Sequence, residues 1–229
     1  MLQQSDELLT EMGARDLSAT RSLRVGITTA VNPDFFTDIT PLFERDFPDH
    51  RIDIKRQISL RSIKDVGRGA LDVALIGMPS QTDGLPFKLL LEDPLVVAMP
   101  ATHRLAKKRN ISLIELREDH LFWFNRKLNP SYYDHCEQGF NRFNFHPERL
   151  PEPEEHHVLL GLIAASQGVA LMPSSLRAIQ HRSVVHKELR EASHFKIGVA
   201  IIWQQDQPPS HVSAFINMLT AHCANPAQA

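Results

Sequence analysis

From residue 23 to residue 77, strand-like and helix-like stretches alternate, and that alternation points this part of the chain to a parallel α/β sheet. "LRVGIT" reads as a strand. Asn32-Pro33 follows as a helix N-cap with proline at the first helical position. Phe36, Ile39, Phe43 and Phe47 carry the helix, and Pro48 lies just beyond it. "RIDIKRQI" alternates apolar and polar residues as a second strand. A helix over residues 60–67 puts Ile63 and Val66 on one face, with Ser59 as N-cap and Gly69 as C-terminal stop. The buried run "LDVALIG" is the third strand. Gly67 and Gly69 precede that strand. A dinucleotide fingerprint needs its glycines after a strand and at a helix start, so these two are structural.

Beyond the turn-rich "PSQTDGLP", the second half has the same grammar. "LLLEDPLVVAMP" brings more strand, "SLIELREDH" a short amphipathic helix and "LFWF" a compact apolar strand. Asn129-Pro130-Ser131 opens a helix bearing Tyr133, Cys136 and Phe140. An apolar helix from Val158 to Ala165, a stop at Gly168 and a buried strand from Val169 to Met172 then repeat the earlier unit. "KIGVAIIWQQ" is the last strong strand. A final helix places Val212, Phe215, Ile216 and Leu219 on one face. Two such units imply two similar lobes. Ligands bind where strand C-termini and helix N-termini converge, so two facing edges would form a cleft suited to an anion.

Composition narrows the function. The 229 residues carry a formal charge of −2, which is no footprint for holding a nucleic-acid backbone. Two cysteines make no disulfide framework and favour a reducing cytoplasm. No stretch has the apolar length of a membrane span, and the acidic N-terminus is unlike a secretory signal. Leu2, Leu9 and Met12 recur at helical spacing from the second residue, as though the chain starts partway along a helix of a longer protein.

Four blocks in order, "LRVGITTAVNPDFFTDITPLFERDFPDHRIDI", "GRGALDVALIG", "LLEDPLVVAMPATHRLA" and "GLIAASQGVALMPSS", resemble the effector-binding domain of LysR-type transcriptional regulators. The resemblance covers residues 23 to about 220. "LFWFNRKLNPSYYDHC" with "HHVLLGLIAASQG" is similar to the branch that controls aromatic-compound catabolism. The resemblance implies two Rossmann-like lobes, as in type 2 periplasmic binding proteins. It assigns residues 22–92 plus 200–229 to the first lobe, 93–199 to the second, and 1–21 to the remnant of a linker helix and its connector. It further implies a small effector in the cleft, self-association as dimer or tetramer, and DNA contact only through a winged helix-turn-helix absent from this sequence. No cofactor, metal or membrane partner is implied.

The resemblance also nominates effector contacts, each set against a plainer role. Thr28, Thr29 and Ala30 follow the first strand, where hydroxyls and amides would meet a carboxylate; Thr is equally an ordinary turn residue. Ala30 stands where relatives place Ser, which removes one hydroxyl. Ser59 combines a capping role with a ligand role. Across the cleft, Pro130, Ser131 and Tyr132 match the family's loop and helix start, with a core aromatic the rival reading for Tyr132. Asn125 and Arg126 follow "LFWF", and Arg126 would clamp a carboxylate bidentately or stay solvated. His156 and His157 open the next helix. As neighbours their side chains diverge, with no CxxC or HExxH nearby, so metal is not expected. Ile201 would line the cleft or sit in the core.

Two rival functions make their own demands. A solute-binding protein of the same fold predicts a signal peptide. A small α/β enzyme predicts a catalytic constellation, yet the sequence has no G-x-S-x-G elbow and no Walker lysine. The expectation is a sensor that makes and breaks no bond, binding a small carboxylate ligand.

Overall fold

The computed structural model describes residues 21–31 and 36–224. The helix expected at residues 2–12 and the Asn32-Pro33 cap lie outside the described residues.

The first half runs β1 (Arg21–Ile27), α1 (Ile39–Asp46), β2 (His50–Arg56), α2 (Ser59–Gly67), β3 (Val73–Met78) and β4 (Phe87–Pro100). It continues with β5 (Asn110–Ile111), β6 (Leu121–Trp123), α3 (Pro130–Arg142), β7 (Arg149–Pro151) and α4 (His156–Ala164). The remainder is β8 (Val169–Pro173), β9 (Val184–Leu189), β10 (Lys196–Trp203) and α5 (Ser210–Ala224). No helix among the described residues is long and apolar enough to cross a membrane.

Strand order is β2-β1-β3-β10-β4-β8-β6-β7, with β9 on β4 and β5 on β9. The path is continuous only because β4 serves both halves. Its residues Phe87 to Pro94 pair with β10, whereas Leu95 to Ala98 pair with β8 and Val96 to Pro100 with β9. Pro94, which has no N–H to give a ladder, stands where the partners change. The first sheet is parallel through β2, β1 and β3, then antiparallel at β10. In the second, β7, β6 and β8 are parallel.

Each sheet is covered on both faces, as expected for strands that read as apolar runs. In the first, Leu23, Val25 and Ile27 of β1 pack with Phe43 of α1 and Phe215 of α5. The opposite face joins Ile76, Ala200 and Ile202 to Ile63 and Val66 of α2. The alternation along β10 decides Ile201: it is fully buried with Val199 on the α1/α5 face, in the core and away from any cleft. In the second lobe, Trp123, Cys136, Phe140 and Phe195 form one core, and Phe122, Leu160, Ile163 and Met172 the other.

Several local readings change. α1 begins at Ile39; Phe36 precedes it, still buried, and Phe47 is its C-cap. Ser59 is the first residue of α2, and Ile58 takes the cap position. Gly69 does end that unit, at φ +72°. The matching stop after α4 is Ser166 at φ +60°; Gly168 serves a close approach, since a Cβ there would meet the His120 carbonyl at 2.7 Å. "SLIELREDH" yields only a 3₁₀ turn over Leu113–Leu116, held by a Ser112/Glu115 capping box. The strands β5, β7 and β9 were not expected.

Candidate ligand-binding site

A cavity opens between the lobes, a place where small-molecule sites are commonly found. From the first lobe it is lined by Thr28, Thr29 and Ala30 after β1, Ile58 and Ser59 at the start of α2, and Gly77 of β3. From the second come Leu95, Trp123, Phe124, Leu128, Asn129, Tyr132, Glu152, His156, Leu171, Pro173 and Leu176. Ile197, at the start of β10, completes the wall.

The first wall is internally hydrogen-bonded. The Thr28 amide donates to the Leu75 carbonyl (3.2 Å), and the Thr28 carbonyl accepts from Val31 N (3.1 Å), which fixes the turn after β1. The Ser59 hydroxyl accepts from Gly77 N at 3.2 Å and keeps its own O–H to donate. At the rim, Arg56 donates Nη2 to the Thr29 carbonyl at 3.3 Å.

Asn129 spans the lobes. Its Nδ2 donates to the Gly77 carbonyl at 3.0 Å, while its Oδ1 accepts from Tyr132 N at 3.2 Å and caps α3. One buried side chain thus starts a second-lobe helix and holds a first-lobe strand. A Cβ at Gly77 would lie 2.8 Å from Ile197 Cδ1, the movable end of that side chain, and 3.8 Å from Asn129 Nδ2.

The second wall is aromatic, and part of its polarity is unmatched. Trp123, Phe124 and Tyr132 form a contiguous set, with centroids 4.9 Å apart for the first pair and 5.8 Å for the nearly parallel second. Trp123 Nε1 and the Tyr132 hydroxyl are buried without a hydrogen-bond partner; the weakly polar Cys136 thiol lies beside the hydroxyl, and Asp93 and Glu152 are near enough to act on it electrostatically. Burial pushes Tyr132 well above the usual phenol range and Cys136 up to about 12. Glu152 follows β7, its amide donating to the Trp123 carbonyl at 3.2 Å. Desolvation raises its carboxyl to about 8. Burial, then the Arg56 charge, lowers His156, so its imidazole is neutral at pH 7.

Six nominated residues, Thr28, Thr29, Ala30, Ser59, Tyr132 and His156, are brought together here. Six are not. Arg126 is exposed and already clamps Asp134 through Nε and Nη2 (2.7 and 2.6 Å), so its fork is engaged. Asn125 accepts from Lys127 N at 2.9 Å and caps the short turn Arg126–Leu128. Pro130 and Ser131 build the first turn of α3 outside the lining. His157 is exposed beside Glu155, 3.9 Å away. Ile201 is core. Among the residues not anticipated, Asn129 was legible as a helix start, whereas Glu152 is concealed in the acidic run "PEPEE".

Residues 18–224 match the LysR substrate binding domain. The chain belongs to that family. It is similar to the uncharacterized HTH-type transcriptional regulator YnfL of Escherichia coli (strain K12), 27% identical over 161 residues, or 69% of this chain and 54% of the relative. The HTH-type transcriptional regulator AlsR of Bacillus subtilis (strain 168) is 23% identical over 167 residues, 73% of this chain and 55% of the relative. The chain therefore spans about half the length of these curated relatives. Among solved structures, the BenM effector binding domain with its effector benzoate superposes with a TM-score of 0.76 at 20% identity, covering 93% of this chain and 96% of that one. The shared architecture is the two-lobed periplasmic-binding-protein-like fold.

Proposed function

We propose that this chain is the effector-sensing part of a LysR-type transcriptional regulator, and that a small organic acid binds between its lobes. Bound ligand favours one lobe arrangement, and the full-length protein passes that preference to a DNA-binding module. Thr28, Thr29, Ala30, Ser59, Tyr132 and His156 are the proposed contacts. The observation that carries this reading is the cavity that puts all six on facing walls, beside buried polar atoms with no protein partner. Membership of the family supports it, as does the benzoate bound by BenM in the same fold.

On this reading no bond is made or broken, and the protein works in the cytoplasm as a dimer or tetramer. Residues 1–21 belong to the linker, 22–92 plus 200–229 to the first lobe, and 93–199 to the second.

A thermal-melt screen over small acids tests it. An effector at 100 times its Kd adds about 2.7 kcal/mol. For a chain of this size that raises Tm by roughly 5–10 °C. If no acid moves the melt, the reading fails.

A further inference from the structure

We propose that the effector carries a cationic nitrogen as well as its acid group, and that Glu152 holds the nitrogen against the rings of Trp123, Phe124 and Tyr132. This rests on the cavity being the effector site.

The lining holds one carboxylate residue and no lysine or arginine. Among the described residues, the Glu152 carboxyl finds no hydrogen-bond or ion-pair partner, although it is half-buried. A carboxyl removed from water without a partner is costly, and such a group ordinarily finds a counter-charge or stays protonated. Glu152 lines the cavity with no counter-charge from the protein, and burial raises its carboxyl accordingly.

Its surroundings specify that partner. The Glu152 backbone is tied to Trp123 by the amide-to-carbonyl bond, which seats the residue beside the aromatic set. Aromatic rings that line a cavity together with a carboxyl suit an ammonium group, through cation–π attraction and a charge-assisted hydrogen bond.

The opposite wall has the reverse polarity. The Ser59 O–H is free to donate, the first amides of α2 begin there, and Arg56 stands at the rim. That side suits the acid group. The two walls together therefore ask for a zwitterion lying across the cleft, acid toward the first lobe and nitrogen toward the second.

Matched triplets of acids test the inference: para-aminomethylbenzoate against its hydroxymethyl and methyl counterparts, and linear ω-amino acids against the matching hydroxy and unsubstituted acids. Binding is read by calorimetry and thermal melts on the wild type, Glu152→Gln and Glu152→Asp. The expected result is that amino members bind about tenfold or more tightly than their counterparts. Glu152→Gln should erase that preference without lowering the ligand-free melt, and Glu152→Asp should keep part of it. If hydroxy or unsubstituted acids bind as well as the amino acids, or if the preference survives Glu152→Gln, the cationic nitrogen is wrong while the effector site stands. If no member of any triplet binds, the effector site itself is refuted, and this inference with it.

Discussion

The two walls of the cavity differ in how they use their polar groups. On the first lobe the Thr28 backbone and the Ser59 hydroxyl already serve the fold, through bonds to Leu75, Val31 and Gly77. On the second, the Tyr132 hydroxyl and Trp123 Nε1 have no such partner. A group that holds the scaffold together costs stability when removed, and a group kept for a guest does not. Apart from Asn129, which is bonded at both ends, the first wall thus acts as a frame and the second leaves polar groups over, a division that mutation can break or sharpen.

The largest expected effect concerns the cores behind the walls. Phe43→Ala in the first lobe and Phe140→Ala in the second each remove a fully buried ring, at about 3–5 kcal/mol. Because β4 belongs to both sheets, both variants are expected to lower a single calorimetric transition. Two separated transitions would mean that the lobes unfold independently.

Asn129→Ala removes both a helix cap and the bond to Gly77, costing about 1–2 kcal/mol. Hydrogen exchange is expected to quicken at the start of α3 and at Gly77 together; quickening at α3 alone would deny the bond between lobes. Ser59→Ala leaves the Gly77 amide without its acceptor and is expected to cost ~1 kcal/mol or more in denaturant melts.

Glu152→Gln is expected to stabilise, in a way set by pH. The folded carboxyl titrates near 8, above the ordinary 4.5, so its contribution is full below about pH 4.5 and is lost as pH rises toward 8. The variant's advantage over the wild type should be smallest near pH 5 and grow as pH rises to 8, read as a rising difference in Tm. Of the titratable groups around it, Tyr132 and Cys136 are pushed upward, out of that window, whereas His156 is lowered from 6.5, so variant and wild type are compared at each pH, where its contribution is common to both. Smallest of all, Tyr132→Phe should change the ligand-free melt by less than ~0.5 kcal/mol while weakening effector binding. A loss like that of Ser59→Ala would erase the distinction between the walls.

The same division explains what the sequence made legible. The turn after β1 and the start of α2 are local events, signalled by Thr28-Thr29 and by Ser59 ahead of an amphipathic run, so the first wall could be read from order alone. The second wall is assembled from four separate segments. Glu152 sits among other acids that resemble a solvated stretch, and only the pairing of β7 with β6 brings it beside Trp123. Arg126 looked available because its partner Asp134 lies on the next helix, eight residues on. Strands of two or three residues, such as β5 and β7, are too short to show a period, and their pairing is non-local. Ser166 could adopt the left-handed conformation that the reading had reserved for glycine, which displaced the expected stop.

A strand shared by two sheets has a mechanical meaning. Either side of Pro94 the backbone is clamped by ladders belonging to different bodies, and Asp93 is fastened to the second body by the amides of Ser174 and Ser175. Any tilt of one body against the other must be absorbed there and at the neighbouring return of the chain from Phe195 into β10, as in a door hung on short pins. What a guest molecule changes is then an angle, and long rigid arms turn a small angle into a large sweep at their far ends.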